Sequence, residues 1–185
     1  MKELLRWIQA GATRQRILEG LHQPITCQQL AHRANARLNT CSDILRRFTR
    51  RGVTRCLNAA ARRSRVYWLT RLGQACRRQL DSGYRPTFAQ VDWEIYGQVC
   101  FSHRAAVIKA IMEPLQPATI KRVALYRDPL LRMSANNVRD VIRFLRRKGV
   151  VYPVWVRRKA HIHYQLTEHG RRLQELLLRA EVKAR

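Results

Sequence analysis

The apolar positions along this chain fall into short helical stripes separated by alternating, strand-like runs. Over residues 3–21, Leu4, Leu5 and Ile8, then Ile17, Leu18 and Leu21, share one helical face, and Gly11 and Gly20 punctuate the run. Pro24 and Thr26 predict the start of a second helix. There Thr26-Cys27-Gln28-Gln29 has the form of a capping box, with Leu30 and Ala31 turned to a core. After a turn at 34–38, Thr40 to Asp43 predicts the opening of a third helix. Cys41, Ile44, Leu45 and Phe48 would face inward, and Ser42, Arg46, Arg47 and Arg50 outward. Gly52 suits its C-cap, and Val53–Leu57 and Arg65–Leu69 alternate well enough to pair as strands around the loop Asn58–Ser64.

The same pattern then returns. Asp43-Ile-Leu-Arg-Arg-Phe-Thr-Arg-Arg-Gly52-Val53 and Tyr67-Trp-Leu-Thr-Arg-Leu-Gly73 are matched 97 residues later. The later segments are Asp140-Val-Ile-Arg-Phe-Leu-Arg-Arg-Lys-Gly149-Val150 and Tyr164-Gln-Leu-Thr-Glu-His-Gly170. Earlier in the pattern the spacing is smaller: Ser102–Ile111 matches the first helix at an offset of 90, and Pro117 matches Pro24 at 93. Seven extra residues therefore precede the third helix of the second copy, most visibly in Tyr126–Met133. Ser134 caps that helix, Val138, Val141, Ile142 and Leu145 form its buried stripe, and Asn136, Asn137, Arg139, Arg143 and Arg146 face outward. A ribbon follows from Val150–Val156 and His161–Leu166, with Arg157, Arg158 and Lys159 at its tip and Pro153 marking an edge or bulge. Thr167 begins a last helix that runs through Leu178.

Between the copies, Asp81–Pro86 is turn-rich, and Phe88, Val91, Ile95 and Val99 follow a helical period. A linker helix is expected there, packed on one or both domains or serving as a dimer contact. The expected fold is mainly α with small β-ribbons, an α+β chain divided into a domain over 1–80, a linker over 81–101 and a second domain over 102–185.

Charge changes this picture most. The chain carries 37 Lys and Arg against 12 Asp and Glu, a net charge of +25, which points to a polyanionic partner. Residues 1–80 hold 17 basic and 3 acidic residues, 81–103 hold 1 and 3, and 104–185 hold 19 and 6. The excess thus belongs equally to the two repeats and spares the connector. Thirty-one of the 37 are Arg, whose planar donors suit phosphate pairs and guanine edges, although a GC-rich coding sequence would give the same excess. The five cysteines form no C-x-x-C pair, consistent with reduced thiols, a redox or metal sensor being the less favoured reading. His161 and His163 would share a strand face at a spacing a metal can use, but no third ligand lies near in sequence, so strand packing is the expected role. No nucleophile-base layout, paired carboxylates or glycine-rich phosphate loop is present, so neither enzymatic activity nor a cofactor is expected. With no long apolar run, a cytoplasmic, nucleoid-associated protein is expected.

The order of basic helix, R-R-x-G-V, ribbon, Y-x-L-T-x-x-G and helix resembles the winged helix-turn-helix superfamily that includes the MarR-like and ArsR-like transcriptional regulators. It occurs here twice in tandem. The resemblance implies that each third helix enters a major groove and each wing touches backbone or minor groove. Double-stranded DNA is then the expected partner, held by a monomer or by a homodimer formed through the linker helix. The expected contacts are Asn39, Thr40, Ser42, Arg46, Arg47, Arg50, Asn136, Asn137, Arg139, Arg143 and Arg146 on the third helices. Arg62, Arg63, Arg65, Arg157, Arg158 and Lys159 are expected on the wings. Asp43 and Asp140, which would repel phosphate, are each expected to pair with an Arg one turn away. A transcriptional regulator with an asymmetric site is the leading expectation. A non-sequence-specific architectural, replication or viral assembly protein is the alternative, and a chain in which one repeat binds RNA or a protein is a third.

Overall fold

The computed structural model describes residues 1–156 and 161–181. Over these residues the chain is mixed α and β, with ten helices and two small antiparallel sheets of three and two strands. It forms two compact units, one of Met1–Gly97 with residues 180–181 and one of Gln98–Arg179.

The first unit begins with α1 (Lys2–Gln9) and α2 (Ala12–Glu19). The single run expected over residues 3–21 is broken in two, because the chain is extended at Gly11. That break lets α1 fold back on α2. The strand β1 (Ile25–Thr26) leads into α3 (Cys27–Arg33), which starts with the expected capping box: Gln29 N–H donates to Thr26 Oγ1, and the Gln29 side chain accepts from the Thr26 N–H. Helix α4 (Leu38–Arg50) begins earlier than expected. Its N-cap is Arg37 with no side-chain bond, and Thr40 lies inside the first turn. Helix α4 buries Cys41, Ile44, Leu45 and Phe48 against Ile8, Ile17, Leu18 and Leu30. Each large side chain in this core contributes roughly 1.5–3 kcal/mol. Strands β2 (Thr54–Cys56) and β3 (Val66–Leu69) form the expected ribbon, and α5 (Arg71–Leu80) closes it. Strand β1 was not foreseen. It pairs with β3, Ile25 opposite Tyr67, to give the order β1-β3-β2.

The connector is not a continuous helix. Residues 84–92 are irregular, Phe88 is half exposed, and only α6 (Trp93–Val99) is helical. Most of the connector packs within the first unit: the Tyr84 hydroxyl donates to Leu21 O, Thr87 N–H to His22 O, and Tyr96 is fully buried. Trp68, Phe88, Trp93 and Tyr96 make a ladder of ring contacts at centroid distances of 5.4–5.9 Å.

The second unit continues with α7 (Ser102–Ala110), α8 (Pro117–Arg127), α9 (Ala135–Arg147), β4 (Val151–Val154), β5 (His163–Leu166) and α10 (Glu168–Glu181). From the third helix on, the starts of the elements keep the 97-residue register: Leu38 and Ala135, Thr54 and Val151, Val66 and His163, Arg71 and Glu168. Before it the offset is 90, shown by the starts of α2 and α7 at Ala12 and Ser102, and of α3 and α8 at Cys27 and Pro117. Pro117 therefore corresponds to Cys27 and not, as expected, to Pro24. The isolated bridge Leu115–Tyr164 repeats the Ile25–Tyr67 pairing. Even α6 has a counterpart, since Val99 ends it 90 residues after Gln9 ends α1. The seven extra residues divide between a longer helix, 11 residues against 7, and a longer turn before α9. Pro153 sits on β4, which among the described residues pairs with β5 alone, so its missing N–H falls on an edge as expected.

Candidate nucleic-acid interface

The sequence motif Leu-Thr-x-x-Gly acquires a physical reason in the fold. Thr70 Oγ1 caps α5 by accepting from Gly73 N–H at 3.1 Å, and donates to the carbonyl oxygens of Gly52 and Val53 just past α4. Thr167 does the same for α10, accepting from Gly170 N–H at 3.0 Å and donating to Gly149 O at 2.7 Å. A Cβ on Gly73 would lie 2.1 Å from Val53 O, and one on Gly170 2.2 Å from Val150 O, so no larger residue fits either site. Gly52 and Gly149 hold φ of 69° and 65°, the left-handed turn that ends each basic helix. These contacts fix each ribbon against the helix that precedes it.

Helices α4 and α9 are both 13 residues long and bury one stripe. On the opposite faces Asn39, Thr40, Arg46, Arg47 and Arg50 are exposed on α4, as are Asn136, Arg139, Arg143 and Arg146 on α9. Ser42 and Asn137 are only half exposed. Asn137 is the N3 residue of a capping box on α9: its Oδ1 accepts from the Ser134 N–H and hydroxyl, both at 2.9 Å, so its acceptor is engaged in holding the helix start. Arg139 donates to Asn136 Oδ1 at 3.2 Å. Asp43 pairs with Arg46 at 3.4 Å and Asp140 with Arg143 at 2.9 Å, the one-turn pairing expected. All four of these side chains are more than 60% exposed, so the pairs contribute little to stability.

The loop of the first ribbon is organised by a buried side chain that sequence reasoning left out. Asn58 Oδ1 accepts from Val66 N–H at 2.7 Å, and its amide nitrogen donates to Ser64 O at 3.2 Å. Arg62, Arg63 and Arg65 are exposed around it, with Arg65 Nε donating back to Ala61 O at 3.0 Å. Arg157, Arg158 and Lys159 lie outside the described residues. On the second ribbon the described exposed side chains include Tyr152 and Trp155, the latter 73% exposed. Neither was among the expected contacts. The signal for Trp155 lay in the repeat itself, because the 97-residue register sets it at the position of Asn58.

His161 and His163 do not stand together as a pair of ligands. His161 is exposed ahead of β5, while His163 is buried and its Nδ1 shares a 2.8 Å hydrogen bond with His161 O. Among the described residues no group of three His, Cys, Asp or Glu is placed to hold a metal ion. All five cysteines are free thiols. Cys41 lies in the core, where its thiol donates to Cys27 O at 3.6 Å, and its contact with Cys27 together with burial pushes it above the ordinary thiol range. No helix among the described residues is long and apolar enough to cross a membrane. No family model, curated protein or solved structure matches this chain.

Proposed function

We propose that both units are winged helix-turn-helix domains and that the protein binds double-stranded DNA. More particularly, it is a transcriptional regulator whose α4 and α9 are two unlike recognition helices carried on one chain, reading an asymmetric site. The observation that carries this reading is the pair of equal-length helices, 97 residues apart, each with one buried stripe and an opposite face of exposed Arg and Asn. Arginine offers paired donors to guanine, and asparagine to adenine. The even division of positive charge between the two repeats supports contact by both.

Arg46 and Arg143 are the best base readers by position, and each exchanges an exposed Asp for the DNA edge at little cost. Selection of preferred sequences from a random duplex pool tests the proposal. An enriched, non-palindromic motif is expected, on which Arg46→Ala and Arg143→Ala each weaken binding by about 1–3 kcal/mol. The same loss on random DNA would reassign both residues to phosphate. The absence of any motif would favour the architectural or assembly reading, which the charge of +25 suits equally.

A further inference from the structure

Among the described residues the two ribbons use one repeat position in opposite ways. In the first, Asn58 is 1% exposed and bonded to Val66 N–H and Ser64 O, so it holds the loop closed. In the second, the same position is Trp155, 73% exposed at the end of β4. Three residues earlier Tyr152 is also exposed, its hydroxyl held by Gln165 Oε1 at 2.9 Å. The other three tryptophans are used by the fold: Trp68 is 3% exposed, Trp7 packs edge-on to Phe48, and Trp93 lies between Phe88 and Tyr96. Among the described residues Trp155 has no aromatic neighbour, so its large indole face meets solvent.

An indole left in water forgoes the burial that normally stabilises it. A chain segment that replaces a loop-holding Asn with such a residue has exchanged a structural contact for an available flat apolar face. The charge of this half identifies what covers that face. From residue 104 on there are 19 basic residues against 6 acidic, which disfavours a neutral or basic protein surface and favours a ring that arrives with a phosphate attached. Nucleobases are such rings. Within continuous duplex, however, both faces of every base are already stacked, and an indole finds a free face only where a base is unpaired or the helix ends.

We propose that Trp155 is a base-stacking residue and that the ribbon of the second unit takes an unstacked base, as at a junction of duplex and single strand, beside the duplex that α9 reads. This rests on the reading of the protein as DNA-binding. It gives the two ribbons different partners: Asn58 keeps the first closed for backbone contact, and Trp155 makes the second a stacking platform.

The test compares the full chain with Trp155→Ala and Trp155→Phe. The probes are a fully paired duplex and a duplex of the same length bearing a short unpaired arm, at one fixed salt concentration. Stacking on one base corresponds to about a 5- to 150-fold change in affinity. The expected result is tighter binding of the forked probe by the native chain, a loss in that range for Trp155→Ala, most of the affinity kept by Trp155→Phe, and duplex binding altered less than about twofold. Quenching of indole fluorescence by the forked probe, absent in Trp155→Phe, reports the stacking directly. Equal affinity of the native chain for the two probes, or forked-probe binding by Trp155→Ala within about twofold of native, overturns the proposal while leaving the DNA-binding reading intact. If the native chain binds neither probe, that underlying reading fails as well.

Discussion

The two ribbons are built on the same anchor and finished in opposite ways. Thr70 and Thr167 tie each ribbon to the end of the preceding helix, and Gly73 and Gly170 let the carbonyl of Val53 or Val150 approach to within a distance no side chain permits. Beyond that anchor the first ribbon turns inward on Asn58, and the second presents Trp155 to solvent. The two repeats thus share what ties ribbon to helix and differ at Asn58 and Trp155. A repeat preserves the residues whose alternatives cannot fit, and varies those whose alternatives cost little.

The largest effect should come from breaking the shared anchor. Gly73→Ala and Gly170→Ala each force a methyl group against a backbone carbonyl that the N–H of Thr70 or Thr167 holds in place, so each should lose roughly 3 kcal/mol in denaturant unfolding, the upper end of overpacking costs. A loss below about 1 kcal/mol in one unit alone would show that the two anchors are not equivalent.

An intermediate effect should separate the two finishes. Asn58→Ala strands the buried Val66 N–H and the Ser64 carbonyl, at roughly 1–3 kcal/mol. Trp155→Ala removes an exposed ring and should stay within about 0.5 kcal/mol. Thermal melts of the two variants measure the contrast directly, and equal destabilisation would mean that Trp155 also holds its ribbon.

The smallest effect is one of pH. Burial, with the nearby charges of Arg33 and Arg77, holds His22 below its ordinary value, while Asp81 pulls the other way. The unfolded chain therefore takes up this proton first, near pH 6.5, and the first unit should lose stability as pH falls below that value until folded His22 is also protonated. The corresponding position in the second unit, 90 residues on, is Met112, which does not titrate. His22→Gln should flatten part of the fall in urea midpoint between pH 7.5 and pH 5.5, and an unchanged slope would place the dependence elsewhere.

Local signals account for what was legible beforehand. The buried stripes of α4 and α9 follow from apolar spacing, the capping box at Thr26 and the cap at Ser134 from neighbours three residues apart, and the ends at Gly52 and Gly149 from a turn only glycine adopts without strain, whereas the use of Asn137 to complete a box with Ser134 was not foreseen. The Asp–Arg pairs were legible for the same reason, since one helical turn brings them together. Thr40 misled because a good capping residue inside a helix looks like one at its start. The register of the repeat shows instead that α4 begins where α9 does, with Arg37 standing in the place of Ser134.

The sequence by itself determined the helix stripes, the tandem register and the division of charge, because each is set by residues close together along the chain or by composition. Only the tertiary structure decided that Ile25 joins Tyr67 to make a third strand, that most of the connector packs within the first unit, and that Asn58 is buried while Trp155 is exposed. Those outcomes depend on segments tens of residues apart competing for the same partners and the same space. Hydrogen-bond satisfaction and close packing settle that competition, and neither is written in local periodicity.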